Sequence, residues 1–289
     1  MNDRIEFHPR LVEEAVWAAL RGRPEAPAFH RERDPLYEAP DPEERDRLFA
    51  RLFASWFVRL GLGEPVQESL REQEAALAPV GRVLLGPAIS VDREAAELYV
   101  AGPESRSVLV AIRPTTLVDR ERALEFMRRE LFHVADMLDP LFAYEPRLPG
   151  EAAGPAQDRL LQDRYRVLWD CSIDARLLAL GHLREETLTR RLAEFRRAFA
   201  CLGESAEDCF RRVVASSRPT HPEIVALVRD PEAFFGLSDA SLRLRNRCAL
   251  CGFPTSVFDP LPERFGGPVR DAILSEFPGW RADHGVCPQ

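Results

Sequence analysis

Residues Asp119 to Pro140 read DRERALEFMRRELFHVADMLDP, and the winding of this stretch decides how the rest of the chain is organised. At about 100° per residue it places Leu124, Met127, Leu131, Val134, Ala135 and Leu138 on one side. Arg122, Arg129, Glu130, His133 and Asp136 fall on the other, the pattern of an amphipathic helix. Phe126 and Met137 lie inside the polar stripe and Phe132 beside it, so the stripe is expected to be partly covered. A covered Glu, His and Asp need partners, because unpaired burial is costly.

Working outward, the residues before this helix form short apolar runs rich in β-branched side chains: VGRVLLG, AISV, ELYVAG and SVLVAIRP, divided by Gly86-Pro87 and Gly102-Pro103. They predict strands of a small sheet, the last running Val108 to Ile112 and feeding through Pro114 into the helix. After Pro140 and a loop at LPGEAAGP comes Ala156 to Leu180, AQDRLLQDRYRVLWDCSIDARLLAL. This helix is apolar nearly all round and is expected to be buried. Asp170 and Asp174, one turn apart within it, must then find a cation, a metal or several hydrogen-bond donors.

The N-terminal third predicts helices at Pro9–Arg21, from N-cap Asp41 through LFARLFASWFVRL to Gly61, and at Pro65–Leu77, with Gly22 to Pro40 as a connecting loop. Further helices are expected at Glu185–Leu202, Glu207–Ser216 and Pro222–Phe235. The fold class is α+β, mainly helical, with a small sheet backing the Asp119 helix and a ribbon-like C-terminal appendage. Four segments follow: an N-terminal helical region 1–78, an α+β core 79–182, a helical region 183–244 and the appendage 245–289.

With 289 residues, 45% of them hydrophobic and 30% charged, the chain can bury one large core or two modest ones. Its 39 basic and 47 acidic residues leave a net charge of −8. That balance argues against general nucleic-acid or membrane-surface binding and names no partner, a protein being the class left open. No apolar run follows the charges of MNDRIEFHPR and none approaches the length of a spanning helix, which places the chain in the cytoplasm. Cys171, Cys201 and Cys209, scattered through helical patterns, read as reduced thiols. His8, His30, His182 and His221 stand singly near turns or helix ends and are assigned no role.

Two stretches carry metal chemistry. Arg129-Glu130-Leu131-Phe132-His133 has the shape of H-E-x-x-H with Arg in place of its first His. In the intact motif two His one turn apart hold zinc and the Glu polarises a bound water. With a strand before it and an acid-bearing helix after it, the stretch resembles the zincin metallopeptidases, in particular the small SprT-like group, over roughly Val108 to Leu180. The resemblance implies that Glu130 matches the general base, His133 the second zinc ligand, Asp170 an acidic third ligand and Asp174 its outer support. Arg129 departs from the family pattern, because a guanidinium stays protonated and offers no lone pair. It can instead stand where the cation would have been and pair with Asp170, Asp174 or Glu130, keeping the fold and losing hydrolysis. A rival arrangement groups Glu130, His133 and Asp136 on one face with Asp170 as an oxygen-rich site for iron, manganese or zinc. A ferritin-like di-iron site needs two E-x-x-H helices, and the chain shows one.

The second stretch is Cys248-Ala249-Leu250-Cys251-Gly252, a C-x-x-C knuckle, with His284 and Cys287 offering a second pair. Closure by Cys248, Cys251, His284 and Cys287 would make a structural zinc ribbon. The alternatives are an incomplete site, a sequence lacking its last residues, or free thiols. Three functions follow: a zincin-like metallopeptidase homologue with a degenerate centre and a binding or scaffolding role; an active metal-dependent hydrolase using Glu130, His133 and Asp170; or a protein- or nucleic-acid-binding zinc-ribbon module.

Overall fold

A computed structural model describes residues 4–102, 105–146, 155–184, 186–216, 218–237, 248, 250, 251, 267–281 and 285–287. In chain order the elements up to Pro140 are β1 (Ile5–Phe7), α1 (Pro9–Leu20), α2 (Ala26–Arg33), α3 (Pro42–Arg59) and α4 (Glu64–Glu72), then β2 (Arg82–Pro87), β3 (Ala95–Gly102), β4 (Ser105–Ile112), α5 (Pro114–Val118) and α6 (Arg120–Leu138). From Leu141 onward follow α7 (Pro155–Ala179), α8 (Glu186–Ala198), α9 (Ala206–Ala215), α10 (His221–Arg229), α11 (Pro231–Phe235) and α12 (Gly267–Glu276). The fold is α+β and mainly helical, as the periodicities predict. It divides into two compact units, 1–140 and 141–289, so the break falls inside the stretch 79–182.

In the first unit the strands form one mixed sheet in the order β1-β2-β4-β3, with β1, β2 and β4 parallel and β3 antiparallel to β4. Alternation along the strands sends Val83 and Leu85 of β2 and Val108, Val110 and Ile112 of β4 inward, all almost fully buried, while Leu109 and Tyr99 face out. The inward row packs with Leu11, Ala15 and Val16 of α1, Trp56 and Phe57 of α3, Val66 and Leu70 of α4, and Met127, Leu131 and Val134 of α6. One core therefore contains both the N-terminal helices and the sheet. This is why the helices of 1–78 belong to the same unit as the strands.

Helix starts follow their caps. Asp41 accepts from the amides of Glu43 and Glu44 at the head of α3, and Asp119 from the amide of Arg122 at the head of α6. The stretch Gly22 to Pro40, expected as a loop, instead contains α2 and a 3₁₀ turn over Asp34–Glu38. Its Pro27 suits a first helical turn, and Phe29 is buried edge-on against Trp17 and Trp56, with ring centroids 5.1 and 5.5 Å away. AISV is not a strand. The Ala88 amide makes one last bond to Ile112, after which the chain turns through a 3₁₀ segment at Val91–Arg93 and leaves Ile89 exposed.

In the second unit α7 buries Leu161, Leu168, Cys171, Ile173 and Leu177, as its all-round apolarity predicts. Phe195 and Phe199 stack at 4.6 Å between centroids, and Phe210 meets Phe195 edge-on. A capping box of Thr220 and Glu223 starts α10. Among the described residues no helix is long and apolar enough to cross a membrane.

Candidate functional site

On α6 the polar stripe is covered to the degree its embedded aromatics predict: Arg129, Glu130 and His133 are half-buried and Asp136 is fully buried. One oxygen of Glu130 accepts the backbone amide of Ala96 on β3 at 2.8 Å. Arg129 donates to Glu125, one turn back, at 3.2 Å. Arg128, on the adjoining face, is gripped by Glu72 of α4 through two bonds of 2.8 and 2.6 Å. That pairing raises the pKa of Arg128 above its ordinary value against the opposing effect of burial.

Asp170 and Asp174 lie on α7, in the second unit, and there they meet a cation the sequence reading did not single out. Arg191 of α8 places Nε 2.6 Å from Asp174 and Nη1 3.1 Å from Asp170, with Glu194 as a third carboxylate at 2.5 Å. Asp174 is fully buried and Arg191 nearly so. Burial works against the charge of Arg191, but the three carboxylates outweigh it and hold its pKa above the ordinary value. The acid pair, with Asp174 buried and Asp170 partly so, thus has the cation its environment requires. The signal for Arg191 was present in the pattern, since it sits four residues before the buried Phe195 and three after Leu188, on one helix face.

The C-terminal cysteines converge. The sulfurs of Cys248, Cys251 and Cys287 all lie within 4.8 Å of one another, close enough to hold a metal ion, and Cys248 and Cys287 are buried. Cys251 and Cys287 are 3.4 Å apart. Hydrogen bonds to Cys251 and then Cys287 hold the Cys248 thiol far below the usual thiol range. His284, expected as the fourth ligand, lies outside the described residues. Trp280, almost fully buried, donates its indole N–H to the Gly285 carbonyl at 3.1 Å and so braces the return toward Cys287.

Arg164 of α7 is a second buried cation that the sequence reading missed. It donates to the Ala198 and Val228 carbonyls at 2.9 and 3.3 Å and to the Cys201 sulfur at 3.3 Å. Burial lowers its pKa, and the sulfurs of Cys201, Cys251 and Cys287 act in the opposite direction. Its clue was an arginine among Leu160, Leu161, Val167 and Leu168 on an apolar helix.

No known family, curated protein or solved structure matches this chain.

His221, assigned no role from sequence, is buried among aromatic rings. The Tyr165 hydroxyl lies 2.7 Å from its Nδ1, and the rings of Phe142, Tyr144 and Trp169 surround the pair. Among the described residues its Nε2, which is buried, has no hydrogen-bond partner. Burial pushes the imidazole pKa down, opposed in part by Glu145.

Proposed function

We propose that the chain is a zincin-like protein with a degenerate peptidase centre, serving a binding or scaffolding role, whose second unit is held by a structural zinc ion. The observation that carries this reading is the contrast between the two candidate sites. Three thiols converge in the C-terminal region, while the motif helix has an arginine in the position of a ligand and uses its glutamate to hold a backbone amide.

Zinc suits the thiol cluster. With Zn–S bonds of about 2.3 Å, sulfurs around a tetrahedral zinc stand about 3.8 Å apart, and the 3.4 Å between Cys251 and Cys287 needs only a small adjustment. Deprotonated sulfurs are the metal-binding form, and the low pKa of Cys248 favours it. Within the site Cys248, Cys251 and Cys287 would hold the ion, and the ion would supply structural cross-linking. Arg129 cannot coordinate a metal, so the motif supplies one imidazole, at His133, where the zincin arrangement needs two one turn apart.

Metal analysis of the purified full chain and of Cys248→Ser tests the proposal. One zinc per chain, lost in Cys248→Ser, with no cleavage of an unfolded protein substrate, is the expected result. Metal absent from both proteins would overturn the zinc assignment. Metal retained in Cys248→Ser together with proteolysis that Glu130→Gln abolishes would overturn the degenerate reading in favour of an active hydrolase.

A further inference from the structure

The first unit contains a cleft of about 560 Å³ remote in sequence from both stretches discussed above. Its volume falls within the range of small-molecule sites, about 300–1,000 Å³. Aromatic rings make its walls: Trp17 from α1, Tyr37 from the 3₁₀ turn after α2, and Phe49 and Phe53 from α3. Tyr37 meets Phe49 edge-on at 5.0 Å between centroids, and Trp17 meets Phe53 at 6.0 Å.

The charges in this cleft do not balance. Arg33 is already matched by its neighbour Asp34, at 2.6 Å. Glu13 and Asp46, both exposed, also line the cleft, and neither has a cationic partner among the described residues. The lining therefore carries two uncompensated negative charges beside an aromatic surface. Moreover, the Arg33 guanidinium already lies over two of these rings, 5.4 Å from the Trp17 centroid and 5.7 Å from that of Tyr37. The faces of the rings are thus presented to a positive charge, the arrangement that attracts cations through the ring quadrupole.

We propose that this cleft is a binding site for a small organic cation: a quaternary or protonated amine carrying an apolar body, seated against Trp17 and Tyr37 with Glu13 and Asp46 balancing its charge. Arg33 is then an internal competitor that the incoming cation displaces. An anionic ligand would face two carboxylates, and a neutral one would gain nothing from them. The site lies within the first unit and is independent of the metal reading of the second.

Calorimetric titration of the full chain with benzyltrimethylammonium, its neutral carbon isostere neopentylbenzene, and benzoate tests the proposal. Saturable binding of the ammonium compound, with weaker binding of the other two, is expected. Tyr37→Ala should weaken it about two- to fivefold, and the paired change Glu13→Gln with Asp46→Asn about two- to tenfold. Arg33→Gln should tighten it about two- to fivefold, because a competing cation has been removed. Circular dichroism on each variant verifies that the helices remain. No binding of the ammonium compound up to about 10 mM, weaker than any specific small-ligand site of this size requires, would sink the proposal. So would benzoate binding more tightly than the cation and being weakened by Arg33→Gln.

Discussion

The carboxylate of Glu130, on α6, accepts the backbone amide of Ala96, on β3, at 2.8 Å. Glu130, the second letter of the H-E-x-x-H-like stretch, is here a clasp between the motif helix and the strand at the end of the sheet order. Glu130→Ala should lower the stability of the first unit by about 1–3 kcal/mol, because the Ala96 amide loses its acceptor in a covered position. Glu130→Gln, which keeps an acceptor oxygen, should lower it less. Urea unfolding of the two variants measures the difference; equal stability of Glu130→Ala and the unaltered chain would remove the clasp.

Arg191 and the acid pair of α7 form a buried ionic cluster, and breaking such a cluster from one side leaves uncompensated charge in the interior. Arg191→Met should destabilise the second unit by about 3–5 kcal/mol. Adding Asp174→Asn to that variant should recover part of the loss, since the stranded carboxylate is removed with its partner. A double-mutant cycle followed by thermal unfolding reads the coupling. Strict additivity would show that the two groups do not act as a pair.

The His221 imidazole is held neutral by its surroundings, and this gives the second unit a defined response to acid. Its folded pKa lies below the ordinary 6.5, so the unfolded chain binds the proton more readily. Stability from this residue is complete above about pH 6.5 and falls as the pH drops from there toward the folded pKa, where the loss levels off. Tyr165, Tyr144 and Phe142 face the ring and bring no charge near neutrality, and Glu145 limits the shift. Melting measured between pH 8 and pH 5 should show a decline that His221→Gln reduces. An unchanged slope in that variant would place the acid response elsewhere.

Removal of metal should act on one unit only. If zinc occupies the three-thiol site at a free concentration about a thousandfold above its Kd, it adds about 4 kcal/mol to the stability of the unit that binds it. Excess chelator should therefore lower the unfolding temperature of 141–289 and leave that of 1–140 unchanged, because the first unit has its own core. Limited proteolysis with and without chelator distinguishes the two halves.

Much of the fold was legible because periodicity and caps agree over long stretches. Asp41 before Pro42 marked the start of α3, and the spacing from Leu124 to Leu138 marked the buried side of α6. The misses are short or depend on partners far along the chain. Ile5–Phe7 is too brief to show alternation and becomes a strand by pairing with Val83–Leu85. α2 was hidden in a segment rich in Pro, Arg and Glu, whose single buried anchor, Phe29, acquires meaning only once Trp17 and Trp56 surround it. Of the sites, C-x-x-C announced itself through spacing. Arg191 and Arg164 left a fainter signal, an arginine among apolar neighbours on a helix, which acquires meaning only once the face it occupies is known to be buried.

The parallel pairing of β1 with β2 has a consequence for the order of events during synthesis. Ile5 emerges from the ribosome before its partner Val83, and four helices are made between them. The sheet cannot close until β4 is also available, for β2 lies between the two. Non-local pairing of this kind slows the search for the native topology, so the first segment must wait in a partly assembled state while translation proceeds. Folding rate in this half of the molecule should therefore be governed by docking of β1 on β2 rather than by formation of its helices.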